Sequence, residues 1–65
     1  MQKRLIPMKE VLDRVPLSKT EIYRRIGAGR FPSPVRIGER RIAFVEAEIS
    51  TWISDQIEKS QDTEN

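Results

Sequence analysis

A mainly α-helical fold with one small β-hairpin is predicted for this chain by three features of its sequence. Two short segments repeat apolar residues at helical spacing, separated only by Val15, Pro16 and Leu17. The stretch around Gly38 switches to a two-residue alternation, and the last segment returns to the helical period over a greater length. The order helix, helix, hairpin, helix (α-α-β-β-α) is that of a winged helix-turn-helix. The 65 residues make a single domain, because a split would leave neither half enough surface to bury.

The first segment, IPMKEVLDRV, places Met8, Val11, Leu12 and Val15 at i, i+3, i+4 and i+7, one stripe of a helix. Pro7 suits the first helical position, where its missing N–H has no intrahelical partner. Pro16 stops the helix near Arg14 by holding Val15 extended. In LSKTEIYRRIGAG, Ser18 and Glu21 have the spacing of a capping box: the hydroxyl accepts from the N–H of Glu21 and the carboxylate returns to the N–H of Ser18. Leu17 and Ile22 take the staple positions around that cap, and Ile22 and Ile26 form the buried stripe. Gly27 or Gly29 ends the helix after about two turns.

RFPSPVRIGERRIAF changes period. Phe31, with Pro32 and Pro34, makes a stiff extended link. Val35 and Ile37 then alternate with Arg36, and Ile42 and Phe44 with Ala43, which predicts a hairpin with one apolar face. A pairing of Ile37 with Ile42 leaves Gly38, Glu39, Arg40 and Arg41 in the loop. In VEAEISTWISDQIEKS, Val45, Ile49, Trp52, Ile53 and Ile57 make the stripe of the longest helix, which closes the core over the first two helices and the hairpin. Trp52 is expected to serve packing or a subunit contact. The domain is expected to span residues 1–59, with the polar stretch 60–65 fraying.

Composition narrows the function. With 37% apolar and 34% charged residues the chain can fold, but so small a core supplies only about 3–5 kcal/mol. It has no cysteine and no histidine, which removes disulfides, thiolate zinc sites and the commonest general base. Neither catalysis nor a cofactor is expected, since Ser18, Ser33 and Ser50 have no histidine to activate them. No apolar run approaches the roughly 18–20 residues of a membrane span, and no signal-peptide hydrophobic region is seen, so a cytoplasmic location is expected. The net charge of +2 conceals a division. Residues 1–41 hold eleven Lys or Arg against four Asp or Glu, net +7, whereas residues 42–65 hold one against six, net −5. Such asymmetry points to one face for a polyanion and another kept away from it.

The basic half lies where a helix-turn-helix meets DNA. At about 100° per residue, Ile22 and Ile26 point inward and leave Thr20 and Arg24 on the far side, flanked by Tyr23. A helix start with free N–H groups, the Ser18 hydroxyl and the Lys19 ammonium is a neighbour for phosphate. Arg24 is placed to read a guanine through two hydrogen bonds, and Thr20 to touch a thymine methyl or a phosphate. Lys19, Arg25 and Arg30 are assigned to the backbone, and Tyr23 either packs beside the hairpin or brings its hydroxyl to phosphate. The hairpin is then a wing, with Arg40 and Arg41 near a minor groove while the second helix occupies the adjacent major groove. Glu39 opposes phosphate and is expected to turn away or pair with a neighbouring arginine.

LSKTEIYRRIGAGRFPSPVRIGERRIAFVEAEISTWI resembles the AlpA family of small phage and prophage regulators, within the excisionase-like and MerR-like winged-helix DNA-binding domains. The resemblance rests on the leucine–serine helix start, the Ile22-Tyr23-Arg24 core of the second helix, the Gly-x-Phe-Pro-x-Pro link from Gly29 to Pro34, Gly38 in the hairpin and Glu-Ile-x-x-Trp-Ile from Glu48 to Ile53. Two positions depart from the pattern: Pro16, where glycine is more usual, and Phe44, where tryptophan is more usual. The resemblance implies a bacterial transcriptional regulator of prophage or genomic-island integrase and excision genes. It places Ser18, Lys19, Thr20, Tyr23 and Arg24 on the recognition helix and Arg40 and Arg41 on the wing. Two other outputs compete: an excisionase acting at attachment-site DNA with integrase, and a protein-interaction module for an acidic partner. A homodimer or a cooperative assembly on DNA would both enlarge so small a footprint.

Overall fold

The computed structural model describes residues 4–62. In chain order the elements are β1 (Leu5–Ile6), α1 (Met8–Arg14), α2 (Lys19–Gly27), β2 (Val35–Arg36), β3 (Ile42–Val45) and α3 (Glu46–Asp62). The fold is mainly helical with a small antiparallel sheet, as a winged helix-turn-helix requires.

Local chemistry sets the helix ends. Pro7 stands one position before the first helical residue, as an extended N-cap with φ −79° and ψ 165°. Its carbonyl accepts from Glu10 N–H at 3.0 Å and Val11 N–H at 3.2 Å. Proline's missing donor is harmless at either position, so the shift from the expected first helical position costs nothing. Val15, at φ −123° and ψ 127°, ends α1 in the extended conformation that Pro16 imposes. At the start of α2, Ser18 Oγ accepts from Glu21 N–H at 3.1 Å. The return half of the capping box is replaced: Glu21 turns its carboxylate to Arg24 Nη2 at 3.2 Å and Arg25 Nε at 3.4 Å, two cations in place of one exposed amide. Gly29, at φ 73°, closes α2 in a Schellman turn. Arg30 N–H donates to Arg25 C=O at 2.8 Å and Gly29 N–H to Ile26 C=O at 3.1 Å.

The sheet differs from the expected hairpin in two ways. It has three strands in the order β1-β3-β2, so the segment before Pro7 supplies an additional edge strand. Leu5 pairs with Val45 and Ile6 with Phe44, which puts Val45 at the end of β3 rather than on the last helix. The hairpin register is also one residue away from the expected one. Val35 pairs with Ala43 and Arg36 with Ile42, and Ile37 N–H donates to Arg41 C=O at 2.9 Å. The loop is therefore Gly38, Glu39 and Arg40, with Arg41 opposite Ile37. A one-residue change of register exchanges faces. Val35 and Ile37 thus lie on the face opposite Ile42 and Phe44, and they stay 39% and 50% exposed rather than completing one apolar face.

Ile6, Val11, Val15, Ile22, Phe31, Phe44 and Ile49 form the buried core, with Leu12, Leu17, Ile26, Trp52 and Ile53 packed around it. Phe31 is its aromatic hinge. Its ring meets Phe44 edge-on at 6.1 Å and Trp52 at 4.8 Å, while Trp52 Nε1 donates to Arg30 C=O at 2.9 Å. Arg14 ties α1 to α3 through Glu46 Oε2 at 2.9 Å and is braced within α1 by Glu10 Oε2 at 2.7 Å. Those two hydrogen bonds, Glu46 foremost, hold its guanidinium above the ordinary arginine range. The stripe of α3 is buried at Ile49 but does not stay covered to its end: Ile57 is 54% exposed. α3 continues through Ser60 to Asp62, and the remainder of the segment expected to fray, 63–65, lies outside the described residues.

Candidate nucleic-acid interface

Ser18, Lys19 and Thr20 are exposed at the start of α2. The Ser18 hydroxyl oxygen is occupied by capping, which leaves its own proton available to a phosphate. One turn on, the Arg24 side chain is 74% exposed and the Tyr23 residue 44% exposed. The contact of Arg24 with Glu21 is an exposed ion pair, worth little against an anionic ligand that offers two acceptors.

The wing approaches this helix from the side. One concave surface is lined by Lys19 and Tyr23 of α2 and by Arg40 and Arg41 of the wing, together with Leu5 and Ile37. β1 and the hairpin register make that meeting possible: β1 brings Leu5 to the edge of the concavity, and the pairing of Ile37 with Arg41 puts their side chains on one face of the ribbon. Glu39 is exposed at the tip, and no ion pair of a neighbouring arginine with it is found among the described residues.

Arg25 and Arg30 face elsewhere. They line a second cleft, against α3, together with Glu48, Trp52 and Asp55. The structure therefore gathers Lys19, Tyr23, Arg40 and Arg41 about one cleft and sets Arg25 and Arg30 about another. Leu5 and Ile37 line the concavity with no local signal in the sequence to mark them for it. A register one residue off assigns Ile37 to the core face, and two residues of β1 are too few to show an alternation.

Among the described residues no cluster of His, Cys, Asp or Glu has the makings of a metal site, and no helix is long and apolar enough to cross a membrane. The family model described as prophage CP4-57 regulatory protein (AlpA) matches residues 4–57. A relative described as uncharacterized protein ORF88 of Enterobacteria phage P4 is 32% identical over 56 residues, which is 86% of this chain and 64% of that protein. The chain thus spans just under two-thirds of the length of that relative.

Proposed function

Because the chain belongs to the AlpA family of prophage regulatory proteins, we propose that it binds duplex DNA sequence-specifically and regulates transcription of prophage or genomic-island integrase and excision genes. The observation that carries this reading is the single concavity joining Lys19 and Tyr23 of α2 to Arg40 and Arg41 of the wing. A basic helix face and a basic loop on one side of a small domain suit two adjacent grooves of a duplex, with a backbone strand between them. In this reading α2 enters the major groove. Arg24 donates two hydrogen bonds to a guanine, and Thr20 meets a thymine methyl or a phosphate. Ser18 and Lys19 at the helix start and Tyr23 one turn on hold phosphates, and Arg40 and Arg41 anchor the wing at the minor groove. Arg25 and Arg30, in the second cleft, take flanking phosphates. Contacts of that kind give register and affinity but no sequence information.

The test is binding to duplex DNA across a salt series. Neutralising about five phosphates gives a slope near −4.5 in log K against log salt, at roughly −0.9 per phosphate. Arg24→Ala should relax specificity at one base pair by about 1–3 kcal/mol, whereas Arg40→Ala should weaken binding to most sequences alike. Equal losses on specific and random duplexes for Arg24→Ala would remove its assigned role. Absence of duplex binding even at low salt would turn the reading toward an acidic protein partner. Excision in cells with integrase supplied from an independent promoter tests the transcriptional output. If excision then no longer needs this protein, regulation of integrase expression stands; a continued requirement would favour the excisionase.

A further inference from the structure

Among the described residues five large apolar side chains are left exposed: Leu5, Tyr23, Val35, Ile37 and Ile57. Three of them converge. Leu5, Tyr23 and Ile37 are 45%, 44% and 50% exposed and line the concavity between α2 and the wing, beside Lys19, Arg40 and Arg41. Scattered exposed apolar residues need no explanation, but a cluster inside one cleft does. Its lining contains three cations and no acid, whereas the cleft against α3 contains Glu48 and Asp55. Apolar and cationic side chains lining one concavity match a polymer that alternates carbon-rich and anionic parts. A purely ionic contact would have no use for the apolar side chains, and a purely apolar partner would desolvate three charges without compensation.

Resting on the duplex-DNA reading above, we propose that this concavity seats one sugar–phosphate strand of the duplex. The deoxyribose carbons rest on Leu5, Ile37 and the ring of Tyr23, whose hydroxyl reaches a phosphate, and the neighbouring phosphates meet Lys19 on one side and, along the edge of the minor groove, Arg40 and Arg41. The strand in question is the ridge that separates the groove entered by α2 from the groove reached by the wing. The N-terminal strand β1 is on this account part of the DNA interface as well as of the sheet.

Apolar contacts release no counterions, so they contribute to affinity without contributing to its salt dependence. The test is binding to a short mixed-sequence DNA duplex, followed by fluorescence anisotropy across a salt series. Ile37→Ser and Leu5→Thr should each weaken binding about fivefold, from the apolar area no longer covered, at an unchanged salt slope. Ile37→Val should keep most of the wild-type affinity. Arg40→Ala should instead flatten the slope by about 0.9. Thermal unfolding of each variant separates loss of contact from loss of fold. Should Ile37→Ser unfold, Leu5→Thr decides.

Wild-type affinity in a folded Ile37→Ser or Leu5→Thr variant, or a loss that alters the salt slope, would overturn the proposal. If the wild type binds no duplex at all, it is the DNA reading that fails. Undiminished duplex binding by Ile37→Ser, with loss of binding to a glutamate-rich peptide, would assign the concavity to a protein partner instead.

Discussion

Gly29 holds the turn after α2 at φ 73°, a conformation that a side chain resists, whereas Gly27 is helical and a β-carbon added there would meet nothing within 4 Å. The two glycines should therefore respond oppositely to the same change. Gly29→Ala is expected to destabilise the protein by about 1–2 kcal/mol. Gly27→Ala is expected to stabilise it by up to about 1 kcal/mol, since alanine loses less backbone entropy on entering a helix. Urea unfolding of the two variants beside the wild type checks both signs. Either glycine could end the helix on sequence grounds alone, because both follow the last apolar residue of the stripe, Ile26. The left-handed conformation of Gly29 and the hydrogen bonds of Gly29 and Arg30 back to Ile26 and Arg25 distinguish them.

The elements are legible in the sequence in proportion to how local their determinants are. α1 and α2 end where Val15-Pro16, Ser18 and the glycines act on their own neighbours, and those residues stand close together in the chain. The sheet depends on partners far apart. Val35 and Ile37 alternate correctly in either of two registers, and strands of two residues carry too little pattern to choose between them. Most of the outer face of α2 follows from helical geometry, which puts Thr20, Tyr23 and Arg24 away from Ile22. The separation of Arg25 and Arg30 into another cleft depends on where α3 lies, which no periodicity within α2 reveals. Glu39 lies beside Arg40 in the loop, and no cation neutralises it among the described ion pairs. Glu39→Gln should tighten duplex binding about two- to fivefold at low ionic strength, with the gain shrinking as salt is added. Weaker binding by this variant would mean that the carboxylate positions the loop.

At the scale of the whole molecule, one small core joins all the elements that present the interface. Phe31 connects the α2 turn to Phe44 of β3 and Trp52 of α3, so its ring serves three elements at once. Phe31→Ala should cost about 3–5 kcal/mol, as much as a domain of this size is expected to possess. The variant is therefore expected to be largely unfolded at room temperature, with far-UV circular dichroism and thermal unfolding as the readouts. A cooperative unfolding transition close to that of the wild type would show that stability is distributed beyond this aromatic group. The division of charge has meaning at the same scale. The acidic α3 accounts for most of the negative half of the chain, while α2 and the wing carry the cations about their shared cleft. That arrangement orients the domain toward a polyanion before any contact forms.

Trp52 is the sole tryptophan of the chain, and its indole N–H is bonded to the carbonyl of Arg30, just past the last turn of α2. The molecule thus contains an intrinsic optical reporter at the junction of α3 with that turn. A shift of its emission during a titration would follow that junction and the Phe31 ring packed against it, without any label.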